Sequence, residues 1–385
     1  MAAPHIFIVA VENSSDQLGA GLIAALKEMS PDVKISAVGG SAMAAQGATS
    51  EVDTKGLSIL GFAEALRAYP LVMKRVKQTV QAILKGSPDA VVLIDSWGFM
   101  IRVSQRLKRS GYKGEIIKYV APQVWAMREG RAKTLAKSND HVLSIHSFDA
   151  PYFEKHGLAV SHVGNPMFDT DYSAGDAPTL RKELGLAPEQ RICAALFGSR
   201  LSEFTQLRAP ILSAVAQLKA RHPDLVFISP VSNTLREHII KDASEGEMAW
   251  VHLVPEDRKF DVFAAADAAI ACSGTVTTQL ASVGIPTVVL YKLKASTWWI
   301  AKKLYKPSYI SLINISAGKP LMPELLQDEA RGEMIAAQIS TFLDNEALRS
   351  QRSKELMREA AIMRGSGDGS ASDSAAEKIL ELISD

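Results

Sequence analysis

The sequence predicts an α/β protein of two doubly wound domains, each a parallel sheet covered by helices. Short, β-branched apolar runs alternate with amphipathic stretches along the 385 residues. Most runs lack polar alternation, which is typical of strands covered on both faces. The chain is also longer than one hydrophobic core usually organises. The expected strands lie near residues 5–11, 34–40, 90–95, 115–120, 141–145 and 160–164, and then near 192–197, 226–231, 250–254, 268–272, 287–291 and 310–314.

The domain boundaries are predicted from breaks in this alternation. The segment 169–178 is polar, lacks periodicity and is the candidate linker. We therefore expect an N-terminal domain over residues 1–168 and a second domain over 169–350. Residues 351–385 read as a C-terminal helical segment, interrupted by a glycine-rich break at 364–370.

The composition and net charge limit the kinds of molecule that the protein is expected to bind and the compartment in which it is expected to work. The net charge of +1 predicts no overall field that would attract nucleic acid, so any basic recognition is local. Cys193 and Cys272 lie in apolar strand candidates and favour two buried residues in a reducing compartment over a disulfide or metal site. The N-terminus lacks a basic leader, and no apolar run approaches a membrane span. We expect a cytoplasmic protein, or one held at a membrane from the cytoplasmic side.

Two turns in the second half favour a phosphate ligand. Ser273-Gly274-Thr275 joins an apolar strand to a helix, and such a turn directs free backbone N–H groups at one spot. Gly198-Ser199-Arg200 ends another strand and adds a guanidinium, which can hydrogen-bond two phosphate oxygens at once. Together they favour a nucleotide diphosphate over purely structural turns.

Two carboxylates follow strands of the first half. Glu12 is succeeded by Asn13, Ser14 and Asp16, so this group reads either as helix capping or as a base at a strand end. Asp95 closes the third strand, where it is either a turn residue or a general base partly desolvated by neighbouring aromatic rings. The sequence leaves both alternatives open.

Aromatic and basic residues interleave in three further places. The loop 121–131 fits an amphipathic, anionic ligand or a packed tryptophan with solvated arginines. Apolar residues over 57–84, including Ile59, Phe62 and Leu66, and the Trp298-Trp299 segment with its lysines fit either membrane contact or helix stripes packed on a sheet.

These motifs resemble, in order and spacing, those of the lipid-A-disaccharide synthase family over nearly the whole chain. The matching segments are Ala10-Val11-Glu12-Asn13-Ser14-Ser15-Asp16, Ile94-Asp95-Ser96-Trp97-Gly98-Phe99, Tyr119 to Ala126, Phe197-Gly198-Ser199-Arg200, Ser273-Gly274-Thr275, Tyr309 to Ile315 and Pro323 to Gln327.

The resemblance implies two Rossmann-like domains facing across a cleft, the GT-B type of glycosyltransferase. It also implies transfer of 2,3-diacylglucosamine from its UDP derivative to 2,3-diacylglucosamine 1-phosphate. The product is a β-1′,6-linked disaccharide, formed with inversion, without cofactor or metal, at the cytoplasmic face of the inner membrane. A homo-oligomer is compatible with this reading. The alternatives are another UDP-sugar enzyme of the same fold, such as a sugar 2-epimerase or a muropeptide-pathway transferase, and a catalytically silent homologue that binds nucleotide or lipid.

Site residues are carried over by position, as the resemblance implies them. Asp95 is expected to take the acceptor hydroxyl proton, with Glu12 as the second candidate for the base. The UDP-sugar would be held by Gly198, Ser199, Arg200, Ser273, Gly274, Thr275, Thr278 and Gln279. The acceptor side would be formed by Asn13, Ser14, Gln123, Trp125, Arg128 and Asn314.

The chain departs from the family motifs at several positions. Val11, Asn13 and Ser15 replace small or hydroxyl residues of the first motif, and Gly98 replaces a second acidic residue. Asn165 stands where the family commonly has His, and Gln279 where it usually has a Glu that binds ribose hydroxyls. Because Gln can still hydrogen-bond hydroxyls, we expect donor binding to be retained but retuned.

Overall fold

The protein divides into two compact units. The computed structural model describes residues 3–57, 62–232, 235, 238–239, 246–365 and 369–384, without the side chains of 62–67, 246–247, 295–296 and 300–301. The first unit comprises residues 1–169 and 364–385, and the second comprises residues 170–363. The chain therefore crosses between the units twice, and the segment 351–385 is shared between them.

A six-stranded parallel sheet forms the centre of the first unit. Its strands are β1 (His5–Val9), β2 (Lys34–Val38), β3 (Ala90–Ile94), β4 (Glu115–Tyr119), β5 (His141–Ser144) and β6 (Ala159–His162). Their order is β2-β1-β3-β4-β5-β6. Every residue of β1 and β3 is buried, which explains why these apolar runs lack alternation.

Helices cover both faces of this sheet. They are α1 (Asn13–Met29), α2 (Ser41–Ala45), α3 (Phe62–Gly86), α4 (Trp97–Arg109), α5 (Gly130–Ala136) and α6 (Ala150–Glu154), followed by a 3-10 turn at Pro166–Asp169. On α3, Val76, Val80 and Ile83 are buried against the sheet. This part of the 57–84 stripe is therefore core. Ile59 and the side chains of Phe62 and Leu66 lie outside the described residues.

The second unit contains another parallel sheet of six strands. They are β7 (Ile192–Leu196), β8 (Val226–Val231), β9 (Val251–Pro255), β10 (Ala268–Cys272), β11 (Thr287–Tyr291) and β12 (Glu324–Leu326). Their order is β12-β11-β10-β7-β8-β9. Cys193 and Cys272 are buried, as predicted, and both are free thiols.

The described helices of the second unit continue the numbering. They are α7 (Ala177–Glu183), α8 (Leu201–Arg221), α9 (Lys259–Ala265), α10 (Thr275–Ser282), α11 (Ala295–Leu304), α12 (Leu312–Ala317), α13 (Gly332–Asp344) and α14 (Glu346–Arg364), with 3-10 turns at Gly246–Trp250, Glu256–Arg258 and Gln327–Glu329. None of the described helices combines the length and apolarity needed to cross a bilayer.

The strand predicted near 310–314 is wrong. The Ser311 side chain instead accepts a hydrogen bond from the Asn314 N–H at 3.4 Å and caps α12. Asn314 then bonds the backbone of Met322 through both ends of its amide, at 2.7 and 2.9 Å. The twelfth strand, β12, follows at Glu324–Leu326, in a segment that the sequence marked only as a motif.

The last helix, α15 (Ala371–Ser384), returns to the first unit. Ser370 and Asp373 cap it reciprocally: the Asp373 carboxylate accepts from the Ser370 N–H at 2.7 Å, and the Ser370 hydroxyl accepts from the Asp373 N–H at 3.1 Å. Ala375, Ala376 and Ile379 are buried in the same core cluster as residues of α1. The helix therefore completes the core of the first unit.

Candidate functional site

In each sheet the strand order reverses at the strand that comes first in the chain. β1 lies between β2 and β3, and β7 lies between β8 and β10. Ligands of open parallel sheets bind beyond the carboxyl ends of the strands at such a reversal. The residues that follow β1 and β3 in one unit, and β7 and β10 in the other, therefore occupy the two expected binding edges.

Glu12 and Asp95 lie at the edge of the first unit. Both are exposed. The Ser96 hydroxyl, next to Asp95, donates a hydrogen bond to a carboxylate oxygen of Glu12. Because Val9 of β1 pairs with Leu93 of β3, the chain segments that leave these two strands start side by side.

In the loop after β1, the residues that the sequence offered as helix caps have different roles. Glu12 is the N-cap residue of α1 and forms a capping box with Ser15, whose hydroxyl accepts from the Glu12 N–H at 3.0 Å. The Asp16 carboxylate serves another element. Asp16 accepts from the N–H groups of Gly40 and Ala42 at 2.7 and 2.8 Å, at the start of α2. Asn13 and Ser14 are exposed in the first turn of α1. Glu12 thus takes part in capping α1, and its carboxylate also accepts from the Ser96 hydroxyl at the edge of the sheet.

The backbone at Asp95 adopts a left-handed turn. Asp95 and Ser96 have φ of 51° and 36°, and Val120, which follows the neighbouring β4, has φ of 65°. Such angles are rare outside glycine, above all for a β-branched residue, and they concentrate at functional sites. The Asp95 N–H donates to the Tyr119 carbonyl at 2.9 Å, which joins the two turns.

The loop after β4 carries both exposed side chains and a buried tryptophan. Gln123 and Arg128 are exposed, whereas Trp125 is only 6% exposed. The Trp125 ring contacts the edges of His146 and Phe148, with ring centroids 6.0 and 5.3 Å apart. The alternative of a packed tryptophan beside solvated arginine therefore describes this loop.

A buried carboxyl group lies beneath this loop. Asp149 is 1% exposed, and the Ser144 hydroxyl donates to its carboxylate. Burial raises the pKa of Asp149 to about 7, against a smaller lowering by the Ser144 hydrogen bond. Burial likewise lowers the pKa of His146 to about 4. At neutral pH His146 is therefore uncharged, whereas Asp149 gains and loses its proton in this range.

The second unit holds a cavity of about 280 Å³ at its binding edge. Its lining includes Gly198, Ser199, Arg200, Ser273, Gly274, Thr275 and Gln279. The structure thus brings the two turns singled out in the sequence into one cavity. The first N–H groups of α10 have no partners within that helix, which suits an anionic ligand.

Glu203 occupies part of the same cavity and was not singled out from the sequence. Its Oε2 accepts hydrogen bonds from the N–H groups of Ser199 and Arg200, at 3.1 and 3.3 Å. An acidic residue three positions after Arg200 is the sequence pattern of a helix cap. Two of the amides expected to bind phosphate, those of Ser199 and Arg200, are therefore already paired with a carboxylate.

Besides Trp125, two residues carried over from the family are enclosed by the protein. Thr278 is 1% exposed. Asn314 is fully buried, and its amide nitrogen also donates to Glu324 at 2.8 Å. In this structure, Asn314 holds the start of α12 against the segment leading into β12.

The described residues include no group of three or more His, Cys, Asp or Glu side chains placed to hold a metal ion. A different kind of surface lies on α11. Trp299 and Leu304 are 63% and 56% exposed, and Lys303 Nζ lies 3.6 Å from the Trp299 ring centroid. Lys302 and Lys306 are also exposed. Aromatic, aliphatic and cationic groups thus share one surface.

Comparison with solved structures defines the class of protein. The fold resembles a UDP-GlcNAc 2-epimerase from Neisseria meningitidis bound to UDP-GlcNAc, with a TM-score of 0.61 and 11% identity over 98% of this chain and 100% of that one. It also resembles a calicheamicin glycosyltransferase, with a TM-score of 0.58 and 14% identity over 100% and 99% of the two chains. The protein has the two Rossmann-like domains of the GT-B class.

Sequence comparison then identifies the family. The model described as lipid-A-disaccharide synthetase matches residues 6–379. The chain is 38% identical to the lipid-A-disaccharide synthase of Rhodospirillum centenum, over 98% of this chain and 94% of the relative. It is 34% identical to that of Pseudomonas putida over the full length of both. The chain belongs to the lipid-A-disaccharide synthase family and is a glycosyltransferase.

Proposed function

We propose that this enzyme transfers 2,3-diacylglucosamine from its UDP derivative to 2,3-diacylglucosamine 1-phosphate, forming a β-1′,6-linked disaccharide and UDP. One observation carries the assignment of the site. The binding edge of one sheet bears two exposed carboxylates, Glu12 and Asp95, and that of the other bears a small cavity rich in amide donors with one arginine. These edges supply the base and the leaving-group site that a direct displacement requires.

The acceptor is proposed to bind at the edge of the first unit. Asp95 takes the proton of the acceptor hydroxyl as its oxygen attacks the anomeric carbon of the donor, and configuration inverts. Glu12 hydrogen-bonds the Ser96 hydroxyl and is the second candidate for the base. Asn13, Ser14, Gln123 and Arg128 are exposed on the loops that follow β1 and β4, where they can contact the acceptor sugar and its phosphate.

The leaving group is proposed to bind in the cavity of the second unit. Charge builds on the diphosphate as the bond to the anomeric carbon breaks. The amides after β7 and β10 and the Arg200 guanidinium are proposed to supply donors for that charge, without a requirement for metal. Those after β7 must first be shared with or released by Glu203. Gln279, which lines the cavity, can bind ribose hydroxyls.

Because both proposed substrates carry acyl chains, the enzyme is expected to act at a membrane surface. We propose that this surface is the cytoplasmic face of the inner membrane. The α11 surface supports this reading because exposed Trp299 and Leu304 lie beside Lys302, Lys303 and Lys306. Tryptophan at the headgroup level and lysines near anionic lipid are the usual means by which a helix holds to an interface.

The test is a reconstituted assay with donor and acceptor in mixed micelles, with the products identified by mass spectrometry. Wild type should form disaccharide and UDP. Asp95→Asn should lose turnover while keeping UDP binding, because the amide preserves shape and removes the base. Asp140→Asn is the matched control, since Asp140 accepts from the Ile116 N–H at 3.0 Å at the amino end of β4. UDP binding without disaccharide in wild type would contradict the activity, and full turnover in Asp95→Asn would contradict the assigned base.

A further inference from the structure

A lysine lies buried directly beneath the carboxylate edge of the first unit. Lys118 is on β4 and is only 2% exposed. Its Nζ donates to three backbone carbonyls, those of Asp95 at 2.6 Å, Tyr119 at 3.1 Å and Leu93 at 3.2 Å. Three acceptors match the three protons of an ammonium group, whereas a neutral amine would turn its lone pair toward one of the carbonyls. The geometry therefore fits the charged form.

These carbonyls lie in or next to the two strained turns at this edge: Asp95 is in the turn after β3, Tyr119 ends β4 just before Val120, and Leu93 is near the end of β3. Asp95 and Ser96, after β3, and Val120, after β4, all have positive φ. Conformations of this kind persist only where the surrounding structure over-determines them. The Lys118 ammonium bridges the turns from below, and the hydrogen bond from the Asp95 N–H to the Tyr119 carbonyl links them directly. The Lys118 ammonium therefore supports the backbone conformation that presents the Asp95 side chain, together with this hydrogen bond.

The same cation lies within electrostatic reach of both carboxylates. Burial lowers the pKa of Lys118 to about 7, while the negative charges of Asp95 and Glu12 act in the opposite direction and favour its ammonium form. A buried charge is tolerated when it is paired and hydrogen-bonded. Here the compensation comes from backbone carbonyls and from the two carboxylates that Lys118 underlies.

We propose that Lys118 is a positioning residue for glycosyl transfer, whose ammonium fixes the turn that presents Asp95 to the acceptor hydroxyl. This inference rests on the proposed function, because it assigns the supporting group for the same base. Lys118 acts through Asp95 and does not touch substrate. Lys118 therefore links the proposed base, Asp95, to the left-handed backbone turn that presents it.

The test replaces Lys118 with Met, which keeps length and removes the charge, and with Gln, which keeps hydrogen-bonding capacity without charge. Both variants are measured for kcat, KM for the acceptor, UDP affinity and Tm. We expect kcat to fall on the order of 100-fold, as for small misplacements of reacting groups, with UDP affinity unchanged. Lys108→Met is the matched control, because Lys108 is half-exposed on α4 and pairs with Asp140. Its kcat should stay within about twofold of wild type.

A double-mutant cycle separates positioning from general loss of structure. If Lys118 acts through Asp95, Lys118→Met should add almost nothing to the defect of Asp95→Asn. Additive losses, or wild-type kcat in a folded Lys118→Met protein, would overturn the inference. Failure of both Lys118 variants to fold would assign the residue to the fold and also overturn it. Full activity of Asp95→Asn would instead overturn the proposed base, so the two failures are distinguishable.

Discussion

The guanidinium of Arg200 donates a hydrogen bond to the carboxylate of Glu203, with Nη1 and Oε1 3.0 Å apart. The other oxygen of Glu203 accepts from the N–H groups of Ser199 and Arg200. A carboxylate thus uses the same donors that a diphosphate would use. Ligand binding at this turn must displace the carboxylate or share these donors with it.

Glu203→Gln should therefore bind UDP more tightly than wild type. Glutamine can still cap the start of α8, and the substitution removes a negative charge beside the diphosphate. We expect affinity to rise by about three- to tenfold, measured by calorimetry at fixed ionic strength. Glu333→Gln, an exposed residue in the first turn of α13, is the control. Weaker binding by Glu203→Gln would show that the carboxylate supports the turn more than it competes.

Arg200→Ala should weaken UDP binding. The Arg200 side chain is 79% exposed, so it can turn toward a ligand at low cost. Loss of a bidentate, charge-assisted contact should reduce affinity by about 10- to 100-fold. Arg221→Ala, an exposed residue at the other end of α8, provides the control. An unchanged Kd would remove Arg200 from the diphosphate site.

Trp299→Ala should reduce binding to anionic vesicles. The exposed indole and its neighbouring lysines are proposed to enter the interface together, so vesicle sedimentation should show a loss of about fivefold or more. Raising the salt concentration should weaken wild-type binding, because exposed charges are screened. Trp250, also exposed, at 45%, gives the matched control Trp250→Ala. If both variants bind as wild type does, α11 is not the membrane-binding surface.

Asp149→Asn should stabilise the protein above neutral pH. The folded-state pKa of Asp149 is raised to about 7 from 3.8, so between these values the folded state binds more protons than the unfolded state. Wild-type stability should thus decline as pH rises through this window. Asp149→Asn lacks that decline. Its free energy of unfolding should exceed that of wild type by about 2–4 kcal/mol at pH 8, and the difference should vanish below pH 4. Urea unfolding at several pH values measures it; a pH-independent difference would contradict burial of a titrating carboxyl.

The strands were predictable where burial on both faces dictates the residues. β1 and β3 are unbroken apolar runs, and both are completely buried. Near 310–314 the same reasoning failed, because Ser311 and Asn314 interrupt the apolar run three residues apart, a spacing that a short helix also fits. The capping bond of Ser311 and the long-range bonds of Asn314 to Met322 decide the outcome, and neither is visible in local periodicity.

The candidate site was predictable only in part, for a related reason. Asp95 directly follows β3, and Glu12 and Arg200 lie in the loops after β1 and β7, so the rule for parallel sheets points to them. Lys118 lies inside a strand, and the three carbonyls that surround its ammonium come from two different chain segments. Glu203 follows the pattern of a helix cap, which hides the fact that it reaches the proposed phosphate donors.

The return of α15 to the first unit has a consequence for biosynthesis. The core around α1 includes Ala375 and Ile379, which the ribosome adds some two hundred residues after Asp169 ends the first pass through that unit. The second unit can acquire its native packing during translation. The first unit keeps an exposed apolar face until α15 has been synthesised. Chaperone demand should therefore fall on the beginning of the chain.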